Sequence, residues 1–166
     1  QLLLLLDPKE IADFIQCIID ARTRGSRIFF LGNGGSAATA THFANDISIG
    51  SKSWSQPYRA LSLTDNLAVI TAISNDYGYE DIFVLQLKTM AQAGDVVVAI
   101  SASGNSPNVI KAIEYANSNE LVSIGLTGFG GGTLKNICHH GVHVETPTGE
   151  YGPVEDIHMV LDHLTG

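Results

Sequence analysis

Short apolar runs alternate with longer amphipathic runs along this chain. The apolar runs lie at 27–31, 58–63, 95–100, 121–126 and 142–145. Continuous apolar runs of this length are typical of strands that are covered on both faces of a sheet. Runs compatible with helices lie around and between them, at 8–24, 36–47, 66–74, 79–92, 106–117 and 152–164.

The alternation of strand and helix predicts the fold class. Buried strands separated by helices imply parallel crossovers, with helices on both faces of the sheet. We therefore expect an α/β fold of three layers, in which helices flank a central parallel sheet of about five strands. With 166 residues, 45% of them hydrophobic, the chain is long enough for one compact domain, predicted over 1–166.

Composition narrows the range of partners. The formal net charge is −8, so no excess of Lys and Arg is present to follow a nucleic-acid backbone. Cys17 and Cys138 lie far apart and predict neither a disulfide framework nor a thiolate metal site. The leucine run at 2–6 is too short to span a bilayer. We therefore expect a cytoplasmic protein with no nucleic-acid or membrane partner.

Two glycine- and serine-bearing loops follow predicted strands and lead directly into helices. The first has the sequence LGNGGSAA at 31–38, and the second has SASGNSP at 101–107. Glycine lets the backbone approach an anion, and both serine hydroxyls and first-turn N–H groups can donate to it. Because ligands of open α/β sheets bind at the carboxyl ends of the strands, the two loops predict a phosphate site without lysine.

The motifs resemble those of the phosphoheptose isomerases, which are built on the sugar isomerase (SIS) domain. The resemblance runs through FLGNGGSAA at 30–38 with HFA at 42–44, TAISNDYG at 71–78, SASGNSPNV at 101–109 and GLTG at 125–128. A terminal helix with Glu155, His158 and His163 continues it. The resemblance implies a SIS-type fold and conversion of sedoheptulose 7-phosphate to D-glycero-D-manno-heptose 7-phosphate. It also implies a homotetramer with active sites at subunit interfaces.

The resemblance also implies which residues contact the substrate. Ser101, Ser103 and Ser106 are expected to hold the phosphate, with the first loop nearby, and the segment around 75–76 is expected to contact the sugar. The full set of expected substrate-binding residues is Asn33, Gly34, Ser36, Asn75, Asp76, Ser101, Ser103, Ser106 and Glu155.

Aldose–ketose isomerisation requires a base at carbon and an acid that moves a proton between oxygens, with an enediol between them. His42 and Asp46 are four residues apart and share a helix face, as do Glu155 and His163, two turns apart. By resemblance, Asp46 stands where the family has glutamate and Glu155 where it has glutamine. We expect Asp46 and His163 to be catalytic. His42, Asp46, Glu155 and His163 suit one Zn²⁺ per subunit.

Two other functions fit the same resemblance. Some relatives are noncatalytic SIS tetramers that bind the bacterial replication initiator protein, and some SIS domains sense a phosphosugar without turnover. A further enzyme reading keeps the chemistry but changes the sugar. His42 and His163 together favour an enzyme, because both are the residues that the resemblance implies at the reacting end.

Overall fold

A computed structural model describes residues 2–165, so the two ends of the predicted domain, Gln1 and Gly166, lie outside the described residues. Five strands form one sheet in which every neighbouring pair is parallel. The predicted α/β class is therefore confirmed. In chain order the strands are β1 (Arg27–Gly32), β2 (Arg59–Ser62), β3 (Val96–Ser101), β4 (Val122–Phe129) and β5 (His140–Glu145), and across the sheet they run β2-β1-β3-β4-β5.

Helices cover both faces of this sheet. They are α1 (Pro8–Arg24), α2 (Gly35–Asn45), α3 (Leu67–Asp76), α4 (Val84–Met90), α5 (Pro107–Ser118), α6 (Gly132–Ile137) and α7 (Tyr151–Thr165). Alternate strand residues point to opposite faces. Phe30 and Val98 join a buried cluster with α1, α2 and α7, whereas Phe29 and Val97 join one with α4, α5 and α6. The core is therefore split by the sheet into two halves.

Local signals in the sequence set the limits of α1. The Asp7 side chain caps the helix by accepting a hydrogen bond from the Lys9 backbone N–H at 2.8 Å, and Pro8 occupies the first turn. Gly25 ends the helix in the left-handed conformation, with φ of 72°. Among the described residues, no helix combines the length and apolar character needed to cross a membrane.

Three elements differ from the pattern-based prediction. The helix expected over 36–47 ends at Asn45 and continues as a π-helical turn, Asp46–Gly50. The helix expected over 79–92 is divided into a 3₁₀ turn at Tyr79–Asp81 and α4. The short α6 was not predicted, because six residues after a run of glycines carry too little helical periodicity.

The order of the strands creates a crevice between β1 and β3. The chain leaves β1 towards β2 at one edge, whereas it leaves β3 towards β4 on the other side. Gly32 at the end of β1 is paired with Ile100 near the end of β3. The loops that follow these two strands therefore lie side by side at a topological switch point, where ligands of such folds bind.

Candidate active site

A pocket of about 150 Å³ lies between the two predicted loops at this switch point. Six of its lining residues belong to the expected substrate-binding set, five from the two loops and one from α7, which adds a further residue. The side chains that line it include Asn33, Ser36, Ser101, Ser103 and Ser106 from the loops, with Tyr151 and Glu155 from α7. The structure thus brings together residues that are up to 122 positions apart in the sequence.

The second loop has the backbone geometry that only glycine provides. Gly104 has φ of 63°, and a Cβ at this position would overlap the carbonyl oxygen of Gly131. Its N–H donates to the Ser101 hydroxyl at 3.1 Å. Ser106 is the N-cap residue of α5, so the first-turn N–H groups of that helix adjoin the pocket. These features fit a site for an anion.

Asn33, in the first loop, is held by two side chains that were not assigned a role from the sequence. Its amide exchanges two hydrogen bonds with the buried Asn108, of 2.9 and 2.8 Å. The Tyr79 hydroxyl also donates to Asn33 Oδ1, at 2.9 Å. Asn108 lies within the motif at 101–109, directly after the second loop, and this position was the signal available in the sequence. The network fixes the Asn33 amide at the rim of the pocket.

A second group of polar side chains lies where α2 packs against α7. His42 Nε2 is 3.3 Å from Asp46 Oδ2 and 3.6 Å from Asp162 Oδ2. The rings of His42 and His163 meet edge to face, with their centroids 5.5 Å apart. One donor atom from each of His42, Asp46, Asp162 and His163 lies within 4.8 Å of the others. We call these four residues the His/Asp cluster.

Asp162 is the buried member of the His/Asp cluster. Its side chain is fully buried, and neither carboxylate oxygen has a hydrogen-bond partner. Burial raises the pKa of Asp162 to about 6, nearby Asp46 adds to the shift, and His42 and His163 oppose it. The other three members reach the surface. The cluster therefore lies at the protein surface and includes one buried carboxylate.

Glu155, the fourth predicted metal ligand, lies outside the His/Asp cluster. A Cβ on Gly35 would overlap the Glu155 carboxylate, so this side chain packs against the first residue of α2, beside the pocket. Glu155 and His163 do share a helix face. Eight residues separate them by about 12 Å along the helix axis. Asp162 takes the fourth place in the cluster.

Asn75 and Asp76 lie apart from the pocket within the chain. Both are exposed at the end of α3, where the Asn75 amide donates to Asp76 Oδ1 at 2.8 Å. Neither is among the residues that line the pocket. The predicted contact of these two residues with the sugar therefore requires a substrate surface that extends beyond this pocket.

A buried histidine, His158, lies in the core outside the His/Asp cluster. His158 on α7 is fully buried, and neither ring nitrogen has a hydrogen-bond partner. Burial lowers the pKa of His158 to about 4, so the ring is neutral at pH 7. Nearby, His143 Nδ1 lies 3.0 Å from the Thr127 hydroxyl, and burial also lowers the pKa of His143. These rings belong to the packing between β4, β5 and α7.

The parallel sheet and its two loops agree with a family model described as SIS domain, which matches residues 6–128. The chain is 39% identical to the phosphoheptose isomerase of Pelobacter propionicus over 158 residues, which cover 93% of this chain and 84% of the relative. It is 41% identical to that of Geobacter metallireducens over 154 residues, with 93% and 80% covered. The chain therefore belongs to the phosphoheptose isomerase family. This confirms the resemblance and the predicted enzyme class, an isomerase.

Solved structures agree with this assignment. A phosphoheptose isomerase structure from Neisseria gonorrhoeae superposes with a TM-score of 0.85 at 32% identity, covering 95% of this chain and 83% of that one. The sugar isomerase domain of an RpiR transcription factor from Sphaerobacter thermophilus superposes with a TM-score of 0.69 at 18% identity, covering 99% and 79%. The latter shows only that the fold is shared.

Proposed function

We propose that this chain interconverts sedoheptulose 7-phosphate and D-glycero-D-manno-heptose 7-phosphate. The observation that carries the proposal is that α2 and α7 each connect the pocket to the His/Asp cluster. Ser36 and His42 are six residues apart on α2, which is about 9 Å along the helix axis. An open-chain seven-carbon sugar phosphate has a comparable length. It can therefore place its phosphate in the pocket and its carbonyl end at the cluster.

The phosphate end of the substrate is assigned to the two loops. Ser101, Ser103 and Ser106 supply hydroxyl donors, and backbone N–H groups near Gly34 and at the start of α5 supply others. None of the described residues that line the pocket is basic. Recognition by neutral donors suits a chain with net charge −8, because it requires no long-range positive field.

The proton transfers are assigned to Asp46 and His163. Asp46 removes a proton from C1 of the ketose, while His163 gives a proton to the C2 carbonyl oxygen, which forms the 1,2-enediol. Protonation at C2 and loss of the O1 proton then produce the aldose. Asp46 is close to His42 Nε2, and its other carboxylate oxygen accepts from the Asn45 amide at 2.9 Å. These contacts orient the carboxylate for the first transfer.

The uncovered apolar surface of α3 supports a proposal of assembly into a homotetramer. None of the ten residues of α3 is buried, although six of them are Leu, Ile, Val or Ala. An apolar helix of this kind is normally covered by another surface. We assign that role to further copies of the chain in a homotetramer. This assembly would place Asn75 and Asp76 of the same helix beside a subunit interface, where they contact the sugar.

A divalent metal ion, most readily Zn²⁺ and one per chain, is proposed at the His/Asp cluster. Two imidazoles and two carboxylates, one of them buried without a partner, form a donor set that suits this ion. His42, Asp46 and His163 would hold it, with Glu155 as the fourth predicted ligand. Asp46 has two oxygens and His163 has two nitrogens, so each can offer one atom to the metal. When bound, the ion polarises the sugar oxygens next to the carbonyl carbon.

The organisation of the protein is proposed as it was predicted: a single SIS domain over 1–166, acting in the cytoplasm on a small sugar phosphate. The experiment that tests the function is an assay with sedoheptulose 7-phosphate, with and without added Zn²⁺, on the wild type, Asp46→Ala and His163→Ala. Wild-type turnover that falls at least about 100-fold in both variants supports the proposal. Saturable binding of the sugar phosphate without turnover in the wild type favours a phosphosugar sensor instead.

A further inference from the structure

The residue that opens α7 contributes to the pocket between the two loops. Tyr151 is the first residue of this helix, and it lines the pocket although about half of its surface is exposed. The other residue that α7 presents to the pocket is Glu155, one turn further on. An ionised carboxylate can only accept hydrogen bonds, whereas a tyrosine hydroxyl can donate one. Tyr151 is therefore the α7 residue that can donate to an anion in this pocket.

The Tyr151 ring is held by Phe129, the last residue of β4. The two rings meet edge to face, with their centroids 4.9 Å apart and their planes at 83°. Aromatic pairs favour this arrangement, because the positive edge of one ring points at the negative face of the other. Phe129 is itself buried, so packing fixes its position. The contact restricts the orientations of a tyrosine that is otherwise at the protein surface.

Phe129 has a backbone conformation that is unusual for a bulky residue. Its φ of 51° lies in the left-handed region, and such a conformation persists only where surrounding contacts enforce it. The preceding residue, Gly128, donates its N–H to Ala102 O at 3.0 Å, and Leu134 N–H donates to Gly104 O at 2.9 Å. Both hydrogen bonds tie the end of β4 and the segment after it to the second loop. Phe129 thus connects that loop to the tyrosine on α7.

We propose that Tyr151 is a further substrate-binding residue, whose hydroxyl donates a hydrogen bond to the substrate phosphate, and that Phe129 positions it. The inference rests on the proposed assignment of the phosphate to the two loops. Those loops follow β1 and β3, whereas Tyr151 reaches the pocket from α7. A phosphate group has three strong acceptor oxygens, so it can accept from several elements at once. Tyrosine adds a neutral donor to a pocket whose described lining contains no basic residue.

The first test separates the hydroxyl from the ring. Tyr151→Phe keeps the aromatic contact with Phe129 and removes only the donor. Equilibrium binding of inorganic phosphate to the full chain should weaken about tenfold in this variant, the equivalent of one hydrogen bond to a charged group. Binding of sedoheptulose 7-phosphate, measured in an Asp46→Ala background so that turnover does not obscure it, should weaken by the same factor.

The matched control is Tyr115→Phe on α5. The Tyr115 ring lies beside Lys88, 6.0 Å from its Nζ, and Tyr115 does not line the pocket. This variant also loses one tyrosine hydroxyl, so it should bind both ligands as the wild type does.

The second test measures the role of Phe129. Phe129→Leu keeps the residue apolar but removes the ring, so phosphate binding should weaken about threefold as the Tyr151 hydroxyl samples more orientations. In a Tyr151→Phe background the same change should have no further effect, because the hydroxyl that Phe129 orients is gone. An equal loss in both backgrounds would refute the positioning role. If Phe129→Leu fails to fold, Phe129→Gly replaces it, because glycine suits the left-handed backbone.

The outcomes distinguish this inference from the proposed function. Unchanged affinity of Tyr151→Phe for inorganic phosphate overturns the inference, and so does a loss confined to sedoheptulose 7-phosphate, because the tyrosine would then contact the sugar. Wild type that binds phosphate through Tyr151 without turning over the sugar refutes only the proposed reaction. Wild type that binds neither ligand overturns the inference, whereas the sugar-phosphate assay still decides the reaction.

Discussion

Glu155 lies so close to Gly35 that a Cβ at position 35 would overlap its carboxylate. The contact joins the first turn of α2 to α7 at the mouth of the pocket. A carboxylate at a helix N-terminus is electrostatically favoured, because the N–H ends of the peptide dipoles point towards it. Glycine at 35 thus makes room for the side chain that closes this side of the pocket.

Gly35→Ala should destabilise the protein through this contact. We expect a loss of at most about 1 kcal/mol in the free energy of unfolding, because the overlapping carboxylate is the end of a flexible side chain that can move aside. In a Glu155→Ala background the loss should largely disappear, because the overlapping group has been removed. Urea denaturation of the single and double variants measures both values.

The matched control is Gly152→Ala in α7, where a new Cβ would meet no atom within 4 Å. This substitution should leave stability unchanged or raise it by up to about 1 kcal/mol, because alanine favours a helix over glycine. Equal losses from Gly35→Ala with and without Glu155 would show that the contact does not limit the space at position 35.

Asn108→Ala should disorder the Asn33 amide, because the two side chains exchange hydrogen bonds. We expect a stability loss of about 1–3 kcal/mol and a rise in KM for the sugar phosphate. Tyr79→Phe removes only one donor to Asn33, so it should have the same effects at less than about half the size. Steady-state kinetics and thermal unfolding check the order of the two variants. A KM that is unchanged in both would remove Asn33 from substrate binding.

Ser103→Ala should raise KM for the phosphorylated sugar about tenfold, the equivalent of one hydrogen bond to a charged group, and change kcat less. With unphosphorylated sedoheptulose as the substrate, Ser103→Ala and the wild type should have the same KM. Ser118→Ala, at the far end of α5 where the hydroxyl donates to Glu114 O, serves as the control and should leave both parameters unchanged. A rise in KM of equal size with both sugars would show that Ser103 does not contact the phosphate.

His158 should make stability depend on pH. Its pKa of about 4 in the folded chain is below the ordinary 6.5, so between these values the unfolded chain binds a proton that the folded chain does not. Stability is therefore lost as the pH falls from 6.5 to 4, by up to roughly 3 kcal/mol. The raised pKa of Asp162 acts in the opposite sense over much of this range.

A comparison with His158→Leu isolates the histidine, because the contribution of Asp162 is common to both proteins. The difference in unfolding free energy between wild type and His158→Leu, measured without metal, should change steadily between pH 6.5 and 4. The corresponding difference for His140→Ala, an exposed histidine, should stay flat. A flat difference for His158 as well would mean that its ring is not buried in the neutral form.

The sequence was sufficient to predict the fold and the pocket, for physical reasons. Strands such as β3 are buried on both faces and therefore read as unbroken apolar runs, which distinguishes a covered parallel sheet. Parallel strands also bring their carboxyl ends to one edge, so both glycine–serine loops lie at that edge. They are neighbours because β1 pairs with β3, an order that the sequence pattern does not reveal. Short elements with weak periodicity, such as α6, could not be recognised in the same way.

The metal-binding set could be predicted only in part. His42 and Asp46 meet because they are one helical turn apart, a local relationship that spacing reveals. Glu155 shares a helix face with His163, but its carboxylate packs against Gly35 beside the pocket, a contact that spacing along α7 does not reveal. Asp162 escaped notice because its burial results from the packing of α7, although a carboxylate four residues after His158 on an apolar face was a readable signal.

The central claim is that the His/Asp cluster transfers protons at the carbonyl end of a phosphorylated sugar. The most direct test is to incubate wild-type protein with sedoheptulose 7-phosphate and Zn²⁺ in D₂O, and to follow C1 and C2 by NMR. We predict an aldoheptose 7-phosphate that carries solvent deuterium at C2, formed at least about 100-fold more slowly by Asp46→Asn. Ketose that remains unchanged and free of deuterium with correctly folded wild-type protein would contradict the account.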